Sequence, residues 1–164
     1  MRRIAATAVA LLTLTTSTAL TACGGDEPAV FGASGAWSRP TPSGATNGVL
    51  YLTITSDTDD ALVAVDVPEQ VAAAVELHET MVEHGGAGGH HGGGGGGEVM
   101  SMGQVTSFEI AAGGSVTFSP GGNHVMLIDL AEPLQTGESY VATLRFESGR
   151  TLDVDVVVAD NPPG

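Results

Sequence analysis

Beyond residue 36 the apolar positions fall into a series of short strand-like runs, and in the first of them apolar and polar residues alternate with a period of two. In Asn47–Ser56 (NGVLYLTITS), Leu50, Leu52 and Ile54 fall on one side and polar residues on the other, the signature of a half-buried strand. Ala61–Val67, Val75–Met81, Ser115–Ser119, His124–Leu130, Tyr140–Glu147 and Thr151–Val158 are further short runs rich in Val, Thr and Leu. Asp57–Asp60, Gly113-Gly114, Pro120-Gly121-Gly122 and Ser148-Gly149 are turn signals between them, and Glu69–Ala74 is compatible with one helical turn. About eight short strands with turns between them, and no long amphipathic helix, predict an all-β antiparallel sandwich or barrel.

The first residues read differently. Met1-Arg2-Arg3 is followed by an apolar stretch, Ile4–Leu20, that Thr13, Thr15, Thr16 and Thr18 dilute. It is too short and too polar for a confident membrane span and has the layout of an export signal. Leu20-Thr21-Ala22-Cys23-Gly24 resembles a bacterial lipobox, which implies cleavage after residue 22 and lipidation of Cys23. The expected organisation is a signal peptide over 1–22, a lipidated Cys and tether over 23–35, one domain over 36–159 and a tail over 160–164. The predicted location is the outer face of a bacterial cytoplasmic membrane, reached through the lipid anchor.

Charge narrows the partners. The chain has 19 acidic residues, five Arg and no Lys. Loss of Arg2 and Arg3 with the signal takes the formal charge from −14 to −16. Such a chain repels phosphate backbones, which excludes nucleic acid, and it has no polybasic surface for a membrane. Glycine numbers 24, and ten of these lie in residues 85–97 (GGAGGHHGGGGGG), which reads as a mobile inserted hairpin loop.

The candidate chemistry is concentrated. All five His (78, 84, 90, 91, 124) and every Met except the first (81, 100, 102, 126) fall between positions 78 and 126. Thioether sulfur suits Cu(I) and is a poor ligand for Zn²⁺, Ca²⁺ or Mg²⁺, and neutral imidazole binds copper well. His124 and Met126 stand at i and i+2, so on a strand they share a face; Met100 and Met102 repeat the spacing, and His78 lies on another strand. Glu76 and Glu79 read as solvated strand-face charges. Asp129 reads either as a structural hydrogen-bond acceptor or as a partner of a metal ligand.

At these residues the chain resembles the PCu(A)C-type periplasmic copper chaperones. GAWSRPTP (35–42), GVLYLTI (48–54), VELHETM (75–81), VMSM (99–102), PGGNHVMLIDL (120–130) and GESYVATLRFESG (137–149) carry the resemblance, which covers essentially the whole domain. It implies a cupredoxin-like Greek-key sandwich binding one Cu(I) through two His and two Met. His124 and Met126 match the closing His-x-Met, and Met102, 22 positions before His124, matches the preceding Met better than Met100 does. His78 matches the opening His. It stands 24 positions from Met102, where the family has about 11, and the excess equals the 13 residues of the 85–97 insert. Met81, Met100, His84, His90 and His91 are candidate auxiliary ligands, the loop histidines for Cu(II) or a second Cu(I).

The resemblance implies delivery of copper to a terminal cytochrome oxidase subunit or to a second copper chaperone. Copper scavenging, tolerance or storage is the alternative, with a metal-free binding module behind it. A blue-copper electron carrier needs a Cys thiolate, and the single Cys is committed to the lipobox. No nucleophile–base pair or paired-acid motif points to an enzyme.

Overall fold

The computed structural model describes residues 30–83 and 99–163. The predicted signal peptide, Cys23, most of the tether, and His84 with the 85–97 segment lie outside the described residues. Ten strands are present: β1 (Gly32–Ser38), β2 (Asn47–Thr55), β3 (Asp60–Asp66), β4 (Ala72–Glu83), β5 (Val99–Val105), β6 (Phe108–Ile110), β7 (Ser115–Phe118), β8 (His124–Leu130), β9 (Ser139–Phe146) and β10 (Thr151–Val158). No helix occurs among the described residues; residues 69–71 form a turn and β4 begins at Ala72.

The strands hydrogen-bond in the order β5-β4-β8-β2-β1-β10-β9-β3-β6, and β7 joins the second half of β2. Every pair is antiparallel except β1 with β10. The sheet folds over itself as a sandwich, with the non-consecutive neighbours of a Greek-key-type connection. Side chains of alternate residues fill the space between the layers, led by the fully buried Leu50, Ile54, Leu62, Val125, Leu144 and Val156. The expected all-β sandwich is therefore the observed one.

β1 and β6 are strands that the runs read in the sequence do not include. β1 starts at Gly32, inside the expected 23–35 tether, and pairs Gly32 with Thr55. Gly, Ala and Ser have little strand propensity, so pairing with β2 rather than local pattern holds this segment. Gly35 takes a left-handed φ of 60° at the irregularity between Ser34 and Trp37, which lets the strand bend there. β5 carries one edge of the sheet, and its register with β4 is unbroken from Leu77↔Val105 to Glu83↔Val99. The hairpin on either side of residues 84–98 is thus regular.

A second small core of Ala72, Leu127, Leu134 and Val158 closes one end. There the Gly48 backbone packs so closely that a Cβ would stand 3.2 Å from the Leu134 Cδ1. Tyr140 reaches across β10 to Ser38 on β1, the hydroxyls 2.6 Å apart, and burial pushes its phenol up to about 12.

Candidate metal centre

The centre is built on three neighbouring strands, β5, β4 and β8. Leu77 on β4 and Val125 and Leu127 on β8 point into the core. Strand alternation therefore turns Glu76, His78 and Thr80, and His124 and Met126, to the opposite face. Register aligns the two sets: His78 pairs with His124, and Glu76 pairs with Met126. On the other side of β4, Gln104 pairs with His78 and Met102 with Thr80. His78 thus sits in the middle strand, with His124 directly opposite and Met102 and Met126 each one diagonal step away.

The imidazole centroids of His78 and His124 are 5.5 Å apart and their planes are tilted by 32°. An ion about 2 Å from one nitrogen of each ring holds two ring centres roughly 5–6 Å apart, so the spacing fits a shared ion. His124 is buried (7 % exposed), His78 and Met126 are partly buried, and Met102 is 70 % exposed at the rim. The donor set is two imidazoles and two thioethers with no thiolate. It is deep on the histidine side and open on the Met102 side.

Hydrogen bonds orient both rings. The turn before β8 places Gly121 at φ 82° and brings the Gly122 carbonyl back over the strand. That carbonyl accepts from His124 Nδ1 (3.0 Å) and from the Thr80 hydroxyl (2.9 Å), which leaves His124 Nε2 free to bind. His78 Nε2 lies 2.9 Å from a Glu76 carboxylate oxygen. The sequence suggests a solvated charge for Glu76, whereas the side chain bonds His78. The Glu-x-His spacing on a strand was the available signal, since i and i+2 share a face.

The auxiliary candidates separate. Met81, three residues after His78, lies on the other face, paired with Ser101 and with its methyl over Gly103, where a Cβ would be 3.3 Å from it. The two-residue period of a strand puts i+3 opposite i, so Met81 is not brought to the cluster. Met100 occupies the position opposite Val82, one step further along β5 from Met102. His84, His90 and His91 lie outside the described residues. Asp129 is exposed at φ 51° and makes no side-chain hydrogen bond with the cluster. Trp37 is core-like: it is buried and packs on Tyr51 at 5.1 Å, and burial raises the Tyr51 phenol above its ordinary range although the Arg39 charge partly opposes this.

Residues 32–158, the whole sandwich from β1 to the end of β10, match the family described as "Putative lipoprotein LpqE-like". The chain belongs to the LpqE-like family. Another protein similar to this LpqE-like chain is the "Putative lipoprotein Lxx21020" of Leifsonia xyli subsp. xyli, 31 % identical over 127 residues that span 77 % of the chain and 68 % of the relative. Among solved structures, Cu(I)-loaded DR1885 from Deinococcus radiodurans superposes with a TM-score of 0.54 at 30 % identity, covering 86 % of this chain and 84 % of that one. The copper-bound PCuAC domain of PmoF2 superposes with a TM-score of 0.57 over 80 % of this chain and 97 % of that domain; at 22 % identity it shows a shared fold. The LpqE-like chain thus has the fold of PCuAC copper-binding domains, as its motifs implied.

Proposed function

We propose that this LpqE-like protein is an exported, lipid-anchored copper chaperone that holds one Cu(I) between His78, His124, Met102 and Met126. One observation carries the reading: the β5–β4–β8 register gathers those four residues, and neither Met81 nor the core residues between them, on one face. A neutral imidazole and thioether set suits Cu(I) and leaves it exchangeable. The similarity to a Cu(I)-loaded protein at 30 % identity supports copper as the cargo. The lipoprotein description of the family and of a relative supports anchoring at Cys23.

Delivery proceeds by ligand exchange. The histidines are oriented by Gly122 and Glu76, while Met102 stands exposed where an incoming donor can replace it. The recipient is a copper-accepting protein, such as a terminal cytochrome oxidase subunit or a second copper chaperone. Anaerobic competition titration of the purified protein, followed by X-ray absorption, tests the reading. The expected result is one Cu(I) bound with sub-micromolar affinity by two nitrogen and two sulfur neighbours. Failure to bind one Cu(I) at that affinity overturns it.

A further inference from the structure

Resting on the copper reading above, we infer that Glu76 is a positioning residue that fixes the ring and tautomer of His78. The two histidines then offer copper unlike nitrogens: Nδ1 from His78 and Nε2 from His124. The argument starts from what each partner can do. A carboxylate only accepts, so the 2.9 Å contact requires His78 Nε2 to carry the proton, and the neutral ring has its lone pair on Nδ1. The Gly122 carbonyl also only accepts, so His124 carries its proton on Nδ1 and its lone pair on Nε2.

Placement makes Glu76 more than a passing contact. It shares the strand and face of His78, stands opposite Met126, and is partly shielded from water. It has no cationic side-chain partner among the described residues. Arg145 pairs with Asp66, Arg150 with Asp57, and Arg39 lies over Trp37. In a chain without Lys, the carboxylate is left to face the histidine, where its negative charge complements a monovalent cation held by neutral ligands. A carboxylate behind a metal-binding histidine orients the ring and raises its basicity, and loss of such a partner typically weakens metal affinity about 10- to 100-fold.

The test uses the purified full chain, its Glu76→Ala and Glu76→Gln variants, and two readouts. Long-range ¹H–¹⁵N correlation spectra of the metal-free proteins at pH 8 report the tautomers. The wild type is expected to show Nε2–H at His78 and Nδ1–H at His124. Glu76→Ala should mix the His78 tautomers and leave His124 unchanged. Glu76→Gln, whose amide oxygen still accepts a hydrogen bond, should keep the Nε2–H form. In anaerobic Cu(I) competition, Glu76→Ala should weaken binding about 10- to 100-fold, and Glu76→Gln by less. Unchanged His78 tautomers in Glu76→Ala, or Cu(I) affinity equal to wild type, would overturn this role while leaving the copper reading intact. A wild-type protein that binds no Cu(I) would overturn the copper reading itself.

Discussion

Met102 stands directly across the β4–β5 ladder from Thr80, whose hydroxyl is bonded to the carbonyl that orients His124. The exposed thioether is therefore tied by register to the buried end of the centre. Met102→Ala is expected to weaken Cu(I) binding at least tenfold, far more than Met100→Ala. Because the side chain packs on little, the melting temperature should stay within a range equivalent to about 0.5 kcal/mol. Equal effects of the two substitutions in a competition titration would place the sulfur ligand elsewhere on β5.

The hairpin should tolerate loss of the glycine-rich segment. β4 and β5 remain paired up to Glu83↔Val99. Replacing residues 84–98 with a two-residue Asn-Gly turn leaves every described pair in place and supplies a favoured hairpin connection. Shortening the closed loop should stabilise the fold by about 1–2 kcal/mol. Cu(I) affinity at the four-residue centre should be retained. Thermal melting and copper titration of the shortened chain check both outcomes, and loss of copper binding would show that the removed segment contributes to the centre.

Tyr140 and Ser38 predict an alkaline limit to stability. Ser38 is fully buried, and its described side-chain partner is the Tyr140 hydroxyl. Tyr140→Phe should cost about 1–3 kcal/mol by stranding that hydroxyl. Burial favours the neutral phenol, so the folded value of about 12 lies above the ordinary value near 10. The associated stability is fully present below about pH 10 and is lost as the pH rises toward 12. Denaturant melts between pH 9 and 12 should show this loss in the wild type. In Tyr140→Phe it should shrink to the smaller part owed to Tyr51, which is also raised.

Asp60 predicts the acid side. Burial by itself raises its carboxyl. The Ser148 hydroxyl (2.6 Å) and amide (3.1 Å), the Ala61 amide (2.9 Å) and the Arg150 charge outweigh that and hold it below its ordinary value. The unfolded chain therefore takes up the proton first. The stability due to Asp60 is present above about pH 4 and disappears as the pH falls through the lowered folded value. Asp60→Ala should cost about 1–3 kcal/mol at pH 7, since it strands the buried Ala61 amide and releases both Ser148 bonds. Asp60→Asn, which keeps most of the hydrogen bonds, should flatten the acid limb. An acid limb in Asp60→Asn as steep as in the wild type would assign it to other carboxylates.

Much of this architecture was written locally in the chain. The alternation in Asn47–Ser56 and the His124–Met126 spacing predicted both a strand and the face it offers. The diagonal placing of Met102 beside His78 is legible only after setting aside 13 residues, because a ladder counts cross-strand neighbours rather than intervening chain. β1 was hidden because Gly32, Ala33, Ser34 and Gly35 carry no strand signal of their own and are ordered by β2. Glu76 has the sequence signature of a solvated charge because one strand's pattern shows a face but not what lies on it. Met81 looked close to His78 in sequence, yet an odd separation on a strand sends the two side chains apart.

One consequence follows from the three strands of the centre. On β4, β5 and β8 the residues turned to the metal face, 76, 78, 80, 102, 104, 124 and 126, all bear even numbers. The core-facing Leu77, Val105, Val125 and Leu127 bear odd ones. The proposed copper set and the folding core are thus interleaved residue by residue but separable by parity. Point substitution can remove one and spare the other. Deletion of a single residue within β8 exchanges the two sets, driving His124 or Met126 inward and Val125 or Leu127 into water, so that both are lost together.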